Sequence, residues 1–502
     1  MRASRQIAKN MFFNVGSFII NLFISFFFTP YLIKTVGKEA YSFFPLANNM
    51  VGYTSIITTA VGSMAGRFIT ISLYKNEDIK AKQYFNSVFV ANVILSILFS
   101  IIAGFVILNI SSILKIPDNL TFEVQLLFLF TTGGMVVSLI SSILGIGCFV
   151  RNRTDLYSAG STFANFFRVC IILLLFTLFS PSIVFMSVSA CAASILTFVY
   201  NLYLKKRLLP NFSIQPKLYY SWQSLKEIIA SGIWNSVNQL SIVLLTQLDL
   251  LITNLYVGVS ATGDYSIAKT IPTLVQSFVG VLVSVFIPHF TILYAKGNQN
   301  ELIKSINQSI KLMGILVTIP IGFLLINGES FFNLWVPNQN SNTLYWLSNL
   351  TIIPMIITGS INTIFNVYTV TNKLKTPAIV LLITGILNIL TTVILLRQTN
   401  LGLWAIPLTS LVIGMLRNLI FTPIYAAYCL NEKWNIFYLA ILKGVIACII
   451  AIIISCIIKA IIPSTNWIGF ILNATLVAII SLGINSIIFF NINELYRIIK
   501  IK

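Results

Sequence analysis

Residues 232–294 read GIWNSVNQLSIVLLTQLDLLITNLYVGVSATGDYSIAKTIPTLVQSFVGVLVSVFIPHFTILY, and the chain contains an earlier version of this stretch at residues 13–74. With a shift of 221 positions, eight of the 58 columns that begin at Asn14 are identical without a gap. Both copies consist of an apolar stretch, a Val-Gly turn at Val36-Gly37 or Val257-Gly258, and a second apolar stretch. An internal repeat therefore organises the chain.

A short polar pattern follows each copy. It reads Asn-Glu-x-Ile-Lys at residues 76–80 and again at residues 300–304. We interpret the two occurrences as equivalent positions of the repeat. One repeat in each half of a long hydrophobic chain is typical of many transporters.

The composition is that of an integral membrane protein. Of the 502 residues, 57% are hydrophobic and only 9% are charged, whereas soluble proteins have roughly 25% charged residues. The apolar runs are continuous and about 20 residues long, which favours a helical bundle over a β-barrel. The run at 11–33 is too long for the apolar part of a signal peptide and has no small-residue cleavage site, so we expect it to be a retained helix.

The apolar runs predict about fourteen transmembrane helices. They lie at 11–33, 42–72, 84–108, 122–149, 156–179, 182–204, 232–256, 264–294, 308–328, 345–370, 376–396, 402–428, 438–462 and 466–490. The longest connection, 205–231, separates the two copies of the repeat. We therefore predict a first six-helix lobe at 1–204, a cytoplasmic linker at 205–231, a second six-helix lobe at 232–430, and two additional helices with a tail at 431–502.

The placement of positive charge predicts the orientation. Of the 32 Lys and Arg residues, 22 fall in the segments on the side of both termini and five in the opposite segments. Positive residues accumulate in cytoplasmic loops, so both termini are expected in the cytoplasm. Since each repeat has six spans, the two lobes enter the membrane in the same direction and should be related by a pseudo-two-fold axis along the membrane normal. The net charge of +19 is explained by this bias, and no nucleic-acid partner is expected.

The layout resembles a known superfamily. Two parallel six-helix lobes, two further helices, a short basic amino terminus and the Val-Gly turns resemble the multidrug/oligosaccharidyl-lipid/polysaccharide exporters. The segments Phe12-Phe13-Asn14-Val15-Gly16 and Thr35-Val36-Gly37-Lys38-Glu39-Ala40-Tyr41 are similar to those of the polysaccharide-type, Wzx-like flippases. This resemblance implies a flippase for undecaprenyl-pyrophosphate-linked oligosaccharide repeat units of a surface polysaccharide such as O-antigen or capsule. It also implies that the two lobes surround a central cleft, in a bacterial plasma-membrane protein that works by alternating access.

Charged residues inside spans are the first candidates for substrate binding, because a charge at a helix centre costs roughly 2.5–3.5 kcal/mol. Arg168 in the fifth span and Arg417 in the twelfth are the deepest. If both face the cleft, they supply permanent charges for a pyrophosphate. The alternative is that each arginine ties helices together through backbone carbonyls or extends along its stem toward the membrane surface.

The repeat suggests two further pairs. Arg67 corresponds within one or two positions to His289, so both are candidates for the cytoplasmic entrance of the cleft. The alternatives are an anchor at the loop edge for Arg67 and a hydrogen-bonded structural role for His289. Asp249 and Lys269, on consecutive spans, are expected either to neutralise each other or to form a gate or substrate contact.

Asn14 and Asn235 occupy the same column of the repeat. Each carboxamide can donate and accept hydrogen bonds, so each is a candidate for sugar contacts. An interhelical hydrogen bond is the competing interpretation.

The expected partners are a lipid-linked oligosaccharide, membrane lipids and other polysaccharide-assembly proteins. No catalytic residues, metal ligands or cofactor are predicted, and coupling to an H⁺ or Na⁺ gradient is left open. One alternative function is a cation-coupled multidrug exporter of the same superfamily, although 11–33 contains no acidic residue. Another is a membrane enzyme of polysaccharide assembly, which the absence of a long outer loop disfavours.

Overall fold

A computed structural model describes residues 2–489, together with their side chains except those of residues 2–5, 7, 8, 11, 12 and 288. Every regular element in this range is helical. Fourteen helices between residues 13 and 489 are long and apolar enough to cross a membrane, which confirms the all-α fold class and the predicted number of spans. The charges at 497–502, which were used to predict the orientation, lie outside the described residues.

The chain divides into two compact units at Gly263–Asp264. This division lies inside the eighth span, so the seventh span belongs to the first unit by its contacts. The sequence-based division into 1–204, 205–231, 232–430 and 431–502 concerns the repeat and stays a prediction.

The first unit contains twelve complete α-helices. These are α1 (Arg2–Val36), α2 (Lys38–Gly52), α3 (Ser55–Tyr74), α4 (Asp78–Leu108), α5 (Ile110–Ile113), α6 (Thr121–Leu144), α7 (Ile146–Val150), α8 (Thr154–Leu178), α9 (Val184–Leu208), α10 (Pro216–Tyr219), α11 (Trp222–Ile242) and α12 (Asp249–Ile252). Two π-helical segments, Val243–Gln247 and Thr253–Val257, flank α12. A 3₁₀ turn at Asp118–Leu120 precedes α6.

The division between the units falls within α13 (Val259–Ala268). The second unit continues with α14 (Thr270–Ser284), α15 (Phe286–Ala295), α16 (Gln299–Trp335), α17 (Ser341–Ile352), α18 (Met355–Ile361), α19 (Phe365–Val370), α20 (Lys375–Gln398), α21 (Ala405–Leu416), α22 (Thr422–Cys429), α23 (Tyr438–Ile461) and α24 (Trp467–Phe489). Short 3₁₀ turns lie at Asn362–Ile364 and Gly402–Trp404, and a π-helical segment at Arg417–Phe421.

The Val-Gly columns of the repeat are turns in both copies. Gly37 has a φ of +84° and Gly258 a φ of +131°, in a region that favours glycine because it has no Cβ. Helices begin directly afterwards at Lys38 and Val259, which are also 221 positions apart. The first turn of the repeat is therefore conserved in backbone conformation as well as in sequence.

The interpretation of the Asn-Glu-x-Ile-Lys pattern is wrong. Helices α4 and α16 begin at Asp78 and Gln299, which preserves the shift of 221 positions. Asn76, with a φ of +59°, is thus equivalent to Gly297, with a φ of +69°, whereas Asn300-Glu301 lies inside the first turn of α16. Asparagine and glycine both tolerate this left-handed conformation. The backbone conformation is therefore repeated at this position although the residue type is not.

Helices α11 and α3 pack with unusually close backbones. A Cβ added to Gly232 would lie 2.1 Å from the Ala60 carbonyl oxygen, so only glycine permits this approach. Near the start of α11, the Tyr84 hydroxyl donates a hydrogen bond of 2.6 Å to Glu227. These contacts attach the first helix of the second repeat to the first unit.

The segment predicted as a linker, 205–231, contains the end of α9, all of α10 and the beginning of α11. Leu209 and Phe212 are buried, and the Phe212 ring packs edge-on against Phe85 with centroids 5.6 Å apart. The segment is thus held against α4.

Helix α16 forms the centre of the second unit. A Cβ added to its Gly314 would lie 2.7 Å from the Cα of Gly444 in α23. Ile315 and Ile319 of α16 contribute to an apolar cluster with Ala447 and Ala451 of α23. The thirteenth span, which lies outside the repeat, is therefore packed directly on the ninth.

Candidate substrate-binding site

Arg168 lies in the second half of α8 and lines a polar cavity between α6, α8 and α9. The cavity has a volume of about 230 Å³. Its lining includes hydroxyl and carboxamide side chains, among them Ser138, Ser161, Asn165, Ser194, Thr197 and Asn201. It is therefore a compartment within the first unit that can offer several hydrogen bonds to a polar group.

The Arg168 guanidinium has no internal acceptor among the described residues. Its Nε is buried and makes no hydrogen bond. No carboxylate lines the cavity. A guanidinium nitrogen that is buried without an acceptor is costly, so this site favours an anion.

A row of polar contacts connects α1 with α8. The Thr162 hydroxyl donates to the Ser17 hydroxyl at 2.6 Å, and the Asn165 amide donates to the Asn21 carbonyl oxygen at 2.8 Å. Asn14 also belongs to this row, because its carbonyl oxygen accepts a hydrogen bond from the Ser158 hydroxyl. Asn14 therefore makes the interhelical bond that was the competing interpretation of its role, and its contact with sugars stays a prediction.

The contribution of α8 to this row and to the cavity is also visible in the spacing of its polar residues in the sequence. Ser158, Thr162, Asn165 and Arg168 are spaced by four, three and three residues, which places them on one face of a helix. A polar face of this kind in an apolar span indicates a helix that faces other polar groups. The signal would have identified Asn165 as a companion of Arg168.

The row begins at a charged cluster where α8 starts. The buried Asp155 carboxylate contacts Arg153 Nε at 2.9 Å and Lys9 Nζ at 3.2 Å, and it accepts a hydrogen bond of 3.0 Å from Gln6. The hydrogen bond to Asp155 holds the pKa of Arg153 above its usual range. This cluster fixes the amino-terminal part of α1 to α8.

Arg67 and Asn235 lie on the packed pair α3 and α11. The Arg67 side chain is exposed, and the Asn235 amide donates a hydrogen bond of 3.1 Å to the Ser63 hydroxyl, one turn before Arg67. Asn235 thus also makes an interhelical bond. The structure places these two candidates on one helix pair and Arg168 in a different part of the same unit.

Arg417 lies at the start of a π-helical segment in the second unit. Its Nε and one terminal nitrogen donate hydrogen bonds of 3.1 and 2.8 Å to the side-chain oxygen, Oδ1, of Asn418. The Asn418 amide in turn donates to the Thr358 hydroxyl at 2.7 Å. Arg417 therefore has a neutral partner, in contrast to Arg168, and this network connects it with α18.

Asp249 is buried in the first unit, between the two π-helical segments of the seventh span. Such segments often occur at functional sites. Lys269, in the second unit, lies over the Tyr265 ring with its Nζ 5.6 Å from the centroid. The pairing of Asp249 with Lys269 stays a prediction. His289 is exposed on α15, where its ring contacts Phe290.

A protein-family model and a bacterial membrane protein both match this chain in sequence. Residues 7–294 match the family model described as "Polysaccharide biosynthesis protein". The chain is 30% identical over 454 residues to "Uncharacterized membrane protein EpsK" of Bacillus subtilis (strain 168), and the match covers 90% of both chains.

Solved structures share the fold. The inward closed conformation of the lipid II flippase MurJ is similar with a TM-score of 0.66 and 14% identity, over 96% of this chain and 98% of that one. The inward-facing conformation of a multidrug resistance MATE family transporter of the MOP superfamily is similar with a TM-score of 0.60 and 14% identity, over 82% of this chain and 98% of that one. At these identities the likeness concerns the fold alone.

Proposed function

Because the chain belongs to the family of polysaccharide biosynthesis proteins, we propose that it is a flippase for undecaprenyl-pyrophosphate-linked oligosaccharide repeat units. Its fold is that of the MOP-superfamily transporters, as the sequence resemblance predicted. It is a multi-pass membrane protein. In this proposal the repeat unit moves from the cytoplasmic to the outer leaflet of a bacterial plasma membrane by alternating access, and both termini lie in the cytoplasm.

The observation that carries the proposal is the unpaired Arg168 guanidinium in its polar cavity. A pyrophosphate is an anion whose oxygens accept charge-assisted hydrogen bonds from arginine. The hydroxyl and amide side chains around Arg168 suit either phosphate oxygens or the hydroxyl groups of a sugar.

The size of the cavity limits what enters it. Its volume of about 230 Å³ is below the roughly 300–1,000 Å³ of pockets that enclose a whole small-molecule ligand. We therefore assign it to one group of the substrate, the pyrophosphate or a single sugar, with the lipid tail remaining in the bilayer. No catalytic step is part of this proposal.

A cation-coupled multidrug exporter is the second candidate, because a MATE family transporter shares the fold. A cationic drug is best balanced by a carboxylate. Helix α1 contains no acidic residue, and the cavity lining contains a positive charge instead. These two observations favour an anionic substrate over a cationic one.

The test is the replacement of Arg168 by Gln, which removes the charge and keeps most of the side-chain volume. One charge-assisted hydrogen bond contributes about 1.5–3 kcal/mol, so export of surface glycan should fall about 10- to 100-fold. Arg168→Lys, which keeps the charge but loses the planar fork, should retain part of the export.

Glycan export is measured in cells whose own copy of the gene is deleted, with the amount of protein in the membrane fraction determined in parallel. Lys304→Gln removes a charge from an exposed side chain at the start of α16 and serves as the control. Normal export by the Arg168→Gln protein would refute the anion site. Normal export together with efflux of a cationic drug would favour the second candidate.

A further inference from the structure

The connection between α9 and α11 carries an exposed group of cations and large apolar side chains. We call this surface the basic edge and define it as Arg151, Lys206, Arg207, Lys217, Leu218, Tyr220 and Trp222. From Tyr203 to Lys226 the sequence contains no acidic residue. Among the described residues, no carboxylate pairs with Lys206, Arg207 or Lys217.

The backbone of this surface is held firmly. The Asn86 side chain of α4 accepts a hydrogen bond of 2.8 Å from the backbone N–H of Gln215 and donates one of 3.3 Å to the backbone carbonyl of Ser213. Ser87 makes a similar pair with the backbone of Ser221, at 2.9 and 3.0 Å. The connection is therefore a fixed platform.

Other contacts bring additional positive charge to the platform. Arg151, which follows α7, donates a hydrogen bond of 3.3 Å to the carbonyl of Leu208 at the end of α9. Lys82 of α4 lies over the Tyr219 ring, with its Nζ 5.5 Å from the centroid. Cations from three separate parts of the chain thus meet at one edge of the first unit.

Large apolar side chains project from the same platform. Leu218 is 68% exposed, Trp222 is 64% exposed and Tyr220 is 44% exposed. The platform joins two membrane-spanning helices, so it lies at the level of the membrane surface. Tryptophan and tyrosine prefer this level, where an apolar ring and a polar edge are both accommodated.

We propose that the basic edge binds the anionic headgroups of phospholipids in the leaflet that it faces. Lys206, Arg207 and Lys217 contact the phosphate groups, and Leu218 and Trp222 insert among the acyl chains. Cations near an anionic membrane surface attract it, while exposed apolar side chains gain by leaving water. The combination fits a lipid surface better than a soluble anion, which would satisfy only the charges.

The test uses the purified full-length protein with mixtures of phosphatidylglycerol and phosphatidylcholine, and counts retained lipids by native mass spectrometry. The wild-type protein should retain phosphatidylglycerol preferentially. The triple variant Lys206→Gln, Arg207→Gln, Lys217→Gln should lose about 100-fold in this preference, because each cation contributes roughly a fivefold factor.

A matched control removes three exposed cations from the second unit, as Lys296→Gln, Lys304→Gln, Lys433→Gln. It changes the net charge equally and should keep the preference. An unchanged preference in the first variant, or an equal loss in the control, would overturn the proposal.

A second measurement tests the insertion of Trp222. Brominated phosphatidylglycerol should quench the part of the tryptophan fluorescence that is lost in Trp222→Phe. If this part is not quenched, Trp222 does not contact the acyl chains and the proposal fails.

Discussion

Gly232→Ala should separate α11 from α3. The added Cβ would lie 2.1 Å from the Ala60 carbonyl oxygen, whereas ordinary van der Waals contact begins at 3.4 Å, so the helices must move apart by about 1.3 Å. The hydrogen bonds from Asn235 to Ser63 and from Gln239 to Ser55, now 3.1 and 2.9 Å long, would then be lost. Overpacking costs about 1–3 kcal/mol and each interhelical bond about 0.6 kcal/mol, so we expect a loss of about 2–4 kcal/mol in the free energy of unfolding.

The assay is unfolding of the purified protein in detergent micelles with increasing sodium dodecyl sulfate, followed by circular dichroism. Gly62→Ala, in α3, is the matched control because its Cβ would meet no atom within 4 Å. Alanine also has the higher helix propensity, so this control should be as stable as the wild-type protein or more stable by up to about 1 kcal/mol. If both variants unfold at the same detergent fraction, the close approach at Gly232 does not contribute to stability and the reasoning is refuted.

Two further substitutions test other contacts of the first unit. Asp155→Asn removes the negative charge that pairs with both Arg153 and Lys9. We expect the free energy of unfolding to fall by about 1–3 kcal/mol and the exchange of amide hydrogens around Lys9 to accelerate. Unchanged exchange would contradict this role of Asp155. Asn254→Ala removes both hydrogen bonds to the backbone of Lys115, of 2.9 and 3.1 Å, and should cost about 1–3 kcal/mol in the same unfolding assay. Asn109→Ala, at the end of α4, loses only a local hydrogen bond to the carbonyl of Phe105; an equal cost in that control would argue against the Asn254 contact.

The candidate site could be predicted in part. The cost of a charge in a membrane indicated Arg168 without reference to any contact, and the polar face of α8 was available from its spacing. The closure of the cavity depends on α6 and α9, which contribute Ser138, Ser194 and Asn201 from distant parts of the chain. The spacing of residues within α8 does not indicate which other helices pack against its polar face.

The hydrogen-bond partners of Arg168 and Arg417 also could not be predicted from the sequence. In the sequence both are single arginines inside apolar spans, and the presence of Asn418 beside Arg417 does not show whether its side chain reaches the guanidinium. In the structure Arg417 donates to Asn418, its direct neighbour, whereas the Arg168 Nε has no partner. The difference depends on rotamers and on a π-helical turn, both of which are decided by packing.

The sequence by itself determined the membrane location, the fourteen helices and the internal repeat. These properties follow from apolar length and from local backbone preferences such as the glycine turns at Gly37 and Gly258, and neither requires knowledge of distant contacts. Only the tertiary structure decided that the seventh span packs in the first unit against α3, and that the connection at 205–231 is fixed to α4. Both results depend on pairs of residues far apart in the chain, such as Gly232 with Ala60, and close packing selects such pairs only when the helices meet.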